Sequence, residues 1–192
     1  MTLKELILAS RSYRSFDEST PISREMLVEW IDYARLSPSS RNLQMLKYRV
    51  VYTPKECSAV LPHTRWAARL TDCVLPPVGH APVAYIVICA DTSVSEEAAR
   101  FQKDVGITAQ AILLAATEAG FGGCMIGSFS ADGVCKELSI PSHLLPQLVL
   151  GLGRPDETVC LMPPADDGSV TYYREDGVHY VQKRELKDLI VE

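Results

Sequence analysis

The chain has 192 residues, of which 47% are hydrophobic and 22% charged, the proportions of one compact domain that buries a core without staples. A formal net charge of −5 and a pI near 5.4 argue against nucleic acid or an anionic membrane as main partner. The six cysteines, Cys57, Cys73, Cys89, Cys124, Cys135 and Cys160, include no C-x-x-C pair, which speaks against zinc and iron–sulfur sites.

Thr2–Leu3–Lys4–Glu5 reads as a capping box that opens a first helix, with Leu3, Leu6 and Ile7 on one apolar face and an end near Ser10. This charged start is not a signal peptide, and no apolar run reaches membrane-spanning length. The cysteines therefore read as reduced, small buried hydrophobes of a cytoplasmic protein. Ser23 caps a second helix carrying Leu27, Trp30, Ile31 and Ala34, and Pro38 forces its end. Ser37 to Gln44 is then a polar loop. Arg49–Tyr52 reads as a strand, and Thr53–Pro54 starts another helix.

Residues 62–82 hold four prolines and no clear periodicity, which suits a lid or a connection. Tyr85–Cys89 is a continuous apolar strand, suited to a sheet covered on both faces. A long alanine-rich helix is expected from about Ser95 to Ala119, closed by Gly120. A short strand over Gly122–Gly127, a helix over Ser130–Leu138 and a buried strand over Gln147–Gly153 follow. Aromatics alternate over 170–181 around an Asp176–Gly177 turn, and a last helix is expected over Glu185–Val191. Strands and helices alternate without crossover regularity. The fold class is therefore α+β: a mixed central β-sheet flanked by helices, in a single domain over 1–192.

Three segments carry candidate chemistry. In Arg11–Phe16, two arginines three apart stand with hydroxyls where a helix ends. The guanidinium fork suits phosphate, though a solvated basic turn looks the same in isolation. In Pro38–Gln44, the amides of Asn42 and Gln44 can hydrogen-bond the edge of a flat heterocycle, but the loop also reads as a plain helix stop. In Gly122–Phe129, glycine lets backbone approach a planar ring, and a strand end packed on its neighbour needs glycine equally.

In this order the segments resemble the FMN-dependent nitroreductase family. Arg11, Ser12, Arg14 and Phe16 match its R-S-x-R/K-x-F opening, and Pro38, Ser39, Asn42 and Gln44 match P-S-x-x-N-x-Q. Gly120, Gly122, Cys124, Ile126 and Gly127 match its G-x-G-x-C-x-I-G strand, and Lys183–Arg184 its late basic pair. The resemblance spans nearly the whole chain and implies a nitroreductase-like sandwich in an entwined homodimer with FMN at the interface. It implies that Arg11, Ser12, Lys183 and Arg184 hold the FMN phosphate and ribityl chain, and that Arg14 lies at the pyrimidine edge. Pro38, Ser39, Ser40 and Asn42 would come from the other protomer and line the ring, and Gln44 would also bind the cofactor. Met125, Ile126 and Gly127 would cover the opposite side of the ring, with the Gly127 amide aimed at flavin N5. The implied activity moves two electrons from NAD(P)H through flavin to a small acceptor such as a nitroaromatic or a quinone.

The sequence also departs from the family pattern. Ser10 stands where many members have a further arginine, and Arg65, Trp66 and Arg69 occupy a region where the family often has an asparagine and a lysine. The chain is also short for the family, which suggests a reduced substrate lid. Gly151–Leu152–Gly153–Arg154 lacks the third glycine of a dinucleotide fingerprint, so a dedicated Rossmann site is not expected. His63, His80, His143 and His179 lack metal-ligand spacing, and no metal is expected. The alternatives are a relative with another flavin reaction, such as reductive dehalogenation or dehydrogenation, and a flavin-binding protein without turnover.

Overall fold

The computed structural model describes residues 1–70 and 73–191. Thr71 and Asp72, inside the predicted irregular stretch, lie outside the described residues.

The fold is built around β3 (Ala84–Asp91), which is buried along its whole length. It lies between antiparallel β2 (Leu46–Val51) and β5 (Leu144–Pro155). Strand β5 pairs in turn with β4 (Gly122–Ile126) and, near its end, with β1 (Phe16–Asp17). The two-residue period of a strand sends Ala84, Ile86 and Ile88 to one face, and Tyr85, Val87 and Cys89 to the other. The first face is covered by α2 (Arg24–Arg35) through Leu27, Trp30 and Ala34, and by α4 (Gln102–Glu118) through Val105, Ala109, Ile112 and Ala116. The second is covered by α3 (Pro54–Val60) and α5 (Ala131–Leu138) through Cys57, Val60, Val134 and Leu138. This is the expected α+β sandwich. The main ladders are antiparallel; parallel pairing occurs at the Ser12–Gly123 bridge and in a second sheet.

That second sheet has the order β6–β8–β7 and forms from β6 (Thr158–Met162), β7 (Tyr173–Glu175) and β8 (Val178–Gln182). The predicted turn closes its hairpin, with Asp176 at φ 48° and Gly177 at φ 78°, the left-handed pair that a two-residue hairpin requires. Strand β6 escapes sequence reading because its residues are half-exposed or exposed, and its parallel partner β8 lies far along the chain.

Three expectations change. The capping box of α1 (Leu3–Ala9) is present, but the helix buries no residue: Leu3 is 67% and Ile7 47% exposed. The long helix starts at Gln102 and is preceded by a 3-10 turn over Ala98–Phe101. The Ser95 hydroxyl instead accepts from Glu97 N, which favours a local turn over helix. No side chain caps α4, so packing holds it; burying one side chain of the size of Ile112 is worth about 1.5–3 kcal/mol. The last helix shrinks to a 3-10 turn at Leu186–Asp188, because Leu186, Leu189 and Ile190 stay exposed and so short a helix is marginal without packing.

Candidate functional site

Helix α1 ends at Ser10 in extended backbone, and the chain then runs alongside β4. Ser12 bridges Gly123 in parallel, and Tyr13 N donates to Gly123 O at 3.1 Å. Glycine is required at these contacts. A Cβ at Gly122 would lie 2.6 Å from the Tyr13 ring, and one at Gly123 would lie 2.5 Å from Gly151 O. Phe16 is fully buried and presses on Gly153. The first and third predicted segments are therefore one packed unit.

Within it, Ser12 is exposed, and Arg11 and Arg14 are half-buried. Arg11 Nη2 donates to Ile7 O at 2.5 Å, a carbonyl of the last turn of α1. Arg14 Nη1 donates to Ser12 O at 3.1 Å and stands 3.4 Å from His179 Nε2, while its guanidinium carbon sits 5.5 Å from the centroid of the Tyr172 ring. Strand β4 leads to Gly127, which is exposed; a Cβ there would meet nothing within 4 Å. Met125 is half-buried. Ile126 points into the core, so that residue can offer a ligand little beyond its backbone.

Residues 64–66 run past the same strand end. Thr64 bridges Phe129, and Arg65 N donates to Ser128 O at 2.9 Å. Trp66 Nε1 donates to Thr64 Oγ1 at 2.8 Å, and its ring covers Gly151. The segment with Arg65 and Trp66 thus ties by the Arg65 amide to Ser128, the residue after Gly127.

The Pro38–Gln44 loop stands apart. Among the described residues, no hydrogen bond or ion pair joins it to Arg11–Phe16 or to β4. Arg41, Asn42 and Gln44 all have positive φ, a conformation costly for arginine and glutamine. Buried Asp104, in the first turn of α4, accepts Ser40 N at 2.9 Å and Ser40 Oγ at 2.7 Å. The Ser40 hydroxyl is therefore already engaged, whereas Ser39 Oγ is buried without a partner. A cavity of about 120 Å³ opens beside the loop, lined by Ser39, Gln44, Tyr48, Asp104 and Thr108 among others. Asn42 and Gln44 are exposed and bond to each other at 3.2 Å. Lys183 and Arg184 are exposed just past β8, and Lys183 N donates to Met162 O.

Sequence reading missed a charged cluster beneath Arg14. The Glu157 carboxylate accepts the backbone amides of Arg14 and Ser15 and pairs with Arg174. Glu157 and His179 are almost wholly buried. Burial, then the Arg14 and Arg174 charges, hold the His179 imidazole down to about 4. Burial also raises the Cys124 thiol. The one sequence signal for this cluster was the concentration of aromatic and charged residues over 172–180.

A model of the Nitroreductase family matches residues 7–154. The chain belongs to that family. It is 28% identical over 161 residues to a Methanothermobacter thermautotrophicus protein named "Putative NADH dehydrogenase/NAD(P)H nitroreductase", covering 82% of this chain and 79% of that one. The nitroreductase family protein of Streptococcus pneumoniae superposes with a TM-score of 0.71 at 18% identity, covering 100% of this chain and 99% of the other. An FMN-dependent nitroreductase of Clostridium difficile superposes at 0.63 with 23% identity, covering 81% and 88%. These likenesses establish the nitroreductase fold. The segment that holds Glu157, Tyr172, Arg174 and His179 lies beyond the matched residues.

Proposed function

We propose that this nitroreductase-family chain is an FMN-dependent oxidoreductase, a single flavin-binding domain that passes two electrons from NAD(P)H to a small acceptor. The carrying observation is the Arg11–Phe16 strip bonded to β4 at Gly123, with the open backbone of Gly127 just past the far end of that strand. The residues fit the group. Arg11 Nε, Arg14 Nε and Ser39 Oγ are buried polar atoms without partners, and such atoms are costly unless a ligand or water satisfies them. The relatives named for NAD(P)H and FMN support the same reading.

Bound FMN would supply the hydride chemistry. Arg11, Ser12, Lys183 and Arg184 would hold the phosphate and ribityl chain through charge-assisted bonds. Arg14 would stand at the pyrimidine edge, where a fixed cation stabilises negative charge. The Gly127 N–H would face N5, and the bare glycine leaves room for a ring. Met125 and Ile126 frame that strand end. Pro38, Ser39, Ser40, Asn42 and Gln44 would reach the site from the second protomer of a homodimer. Two features support the homodimer: the lack, among the described residues, of any hydrogen bond between this loop and the Arg11–Phe16 strip, and the uncovered apolar residues Leu3, Ile7 and Leu8 of α1. We place the protein in the cytoplasm, where its cysteines stay reduced. Among the described residues no helix is long and apolar enough to cross a membrane.

The test is the spectrum of the purified protein, with FMN titration and anaerobic NAD(P)H oxidation. The expected result is a yellow protein, or an apoprotein that binds FMN, and reduction of flavin by NAD(P)H with reoxidation by a nitroaromatic or quinone. A protein that neither carries nor binds FMN overturns the proposal.

A further inference from the structure

Arg14 is held from below by a part of the chain that the family match does not include. An exposed arginine samples many rotamers, and a charge that wanders stabilises its target poorly. Here three restraints act at once. Glu157 accepts the backbone amides of Arg14 and Ser15, and its second oxygen is anchored by Arg174 from β7. The Arg14 guanidinium lies over the Tyr172 ring, a cation–π contact. Its Nη1 faces His179 Nε2 across 3.4 Å, from β8. An arginine has no lone pair to offer, so a hydrogen bond across this gap requires a neutral imidazole that accepts at Nε2 and carries its proton on Nδ1, an atom buried without a partner of its own. Burial and the two arginine charges favour that neutral form. Meanwhile Arg14 Nε remains buried and unpartnered.

We propose that Tyr172 and His179 are positioning residues that clamp the Arg14 guanidinium, so that it acts as a fixed cation toward reduced flavin. The inference rests on the proposed function, in which Arg14 meets the pyrimidine edge. It adds a role for the C-terminal sheet, which acts on the flavin through Arg14 without touching it.

The test compares dissociation constants for oxidised FMN and for FMN reduced anaerobically, in the full-length protein. The readout is their ratio, which reports the reduction potential of the bound flavin. Arg14→Ala should reduce the preference for the reduced form by about tenfold, the size of one charge-assisted contact. His179→Leu and Tyr172→Leu should each move the ratio in the same direction by several-fold. Neither should add to Arg14→Ala in the double variant, since all act through one group. His179→Gln, whose side-chain oxygen can accept from Arg14, should restore most of the ratio. Thermal unfolding of each variant separates a loosened clamp from a damaged fold. An Arg14→Ala effect with an unchanged ratio in folded His179→Leu and Tyr172→Leu overturns the clamp alone. An unchanged ratio in Arg14→Ala overturns the flavin placement and the clamp together.

Discussion

The imidazole of His179 takes up a proton near pH 6.5 when unfolded and only near 4 when folded, because burial and the Arg14 and Arg174 charges oppose a third positive charge. Between those values the folded chain binds fewer protons than the unfolded one. The contribution is therefore complete above pH 6.5 and is lost as the pH falls toward 4. Urea unfolding at pH 7 and pH 4.5 should show wild type losing up to about 2–3 kcal/mol more than His179→Gln across that interval. Equal losses would show that His179 is not held neutral. Gly127 makes the opposite kind of prediction. Its Cβ position is open and its φ is ordinary, so Gly127→Val should fold with near-wild-type stability. The same change should weaken FMN binding at least tenfold by filling the space left for the ring. Far-UV circular dichroism with an FMN titration measures both; normal FMN affinity would remove Gly127 from the site.

At the scale of elements, α4 does more than cover the sheet. Its first turn presents buried Asp104 to the Ser40 amide and hydroxyl, and this holds the Pro38–Gln44 loop in a backbone that Arg41 and Gln44 would not adopt unaided. Asp104→Ala should cost about 1–3 kcal/mol, since it leaves the Ser40 donors without their acceptor. Asp104→Asn should cost less, because it keeps one oxygen. Chemical denaturation gives the stabilities, and limited proteolysis should show new cleavage near Arg41 in the alanine variant. The helices and core strands were legible because their apolar periods and caps are local: Thr2–Glu5, Ser23 and Thr53–Pro54 all cap as the sequence implied. Of the second sheet, the hairpin around Asp176–Gly177 was legible and β6 was not. The parallel ladder joins Thr158–Met162 to Val178–Gln182 across a connection that contains β7, and half-exposed β6 lacks a clean alternation.

At the scale of the molecule, one protomer leaves Leu3, Ile7, Leu8, Leu186, Leu189 and Ile190 in water. Scattered apolar residues need no explanation, but α1 buries nothing at all despite its apolar face. In the proposed homodimer a second protomer covers it. Ile7→Asp should then shift the mass in solution from dimer toward monomer, read by light scattering, and lower FMN affinity with it. An unchanged dimer would place the interface elsewhere, and a monomeric wild type would overturn the shared site.

The sequence by itself determined the class of the fold, the caps and the buried strand Tyr85–Cys89, because residue type and spacing carry those choices. It also carried the family resemblance through Arg11–Phe16, Pro38–Gln44, Gly122–Gly127 and Lys183–Arg184. Only the tertiary structure decided that Arg11–Phe16 is bonded to Gly123, that Ser40 is engaged by Asp104 while Ser39 is free, and that Glu157, Tyr172, Arg174 and His179 gather around Arg14. The bonds that tie Ser40 to Asp104 and Arg14 to Glu157 and His179 span 64 to 165 positions, and even Glu157 and Arg174 are 17 apart. Local propensity does not encode contacts at that range, and they arise only when the sheets pack.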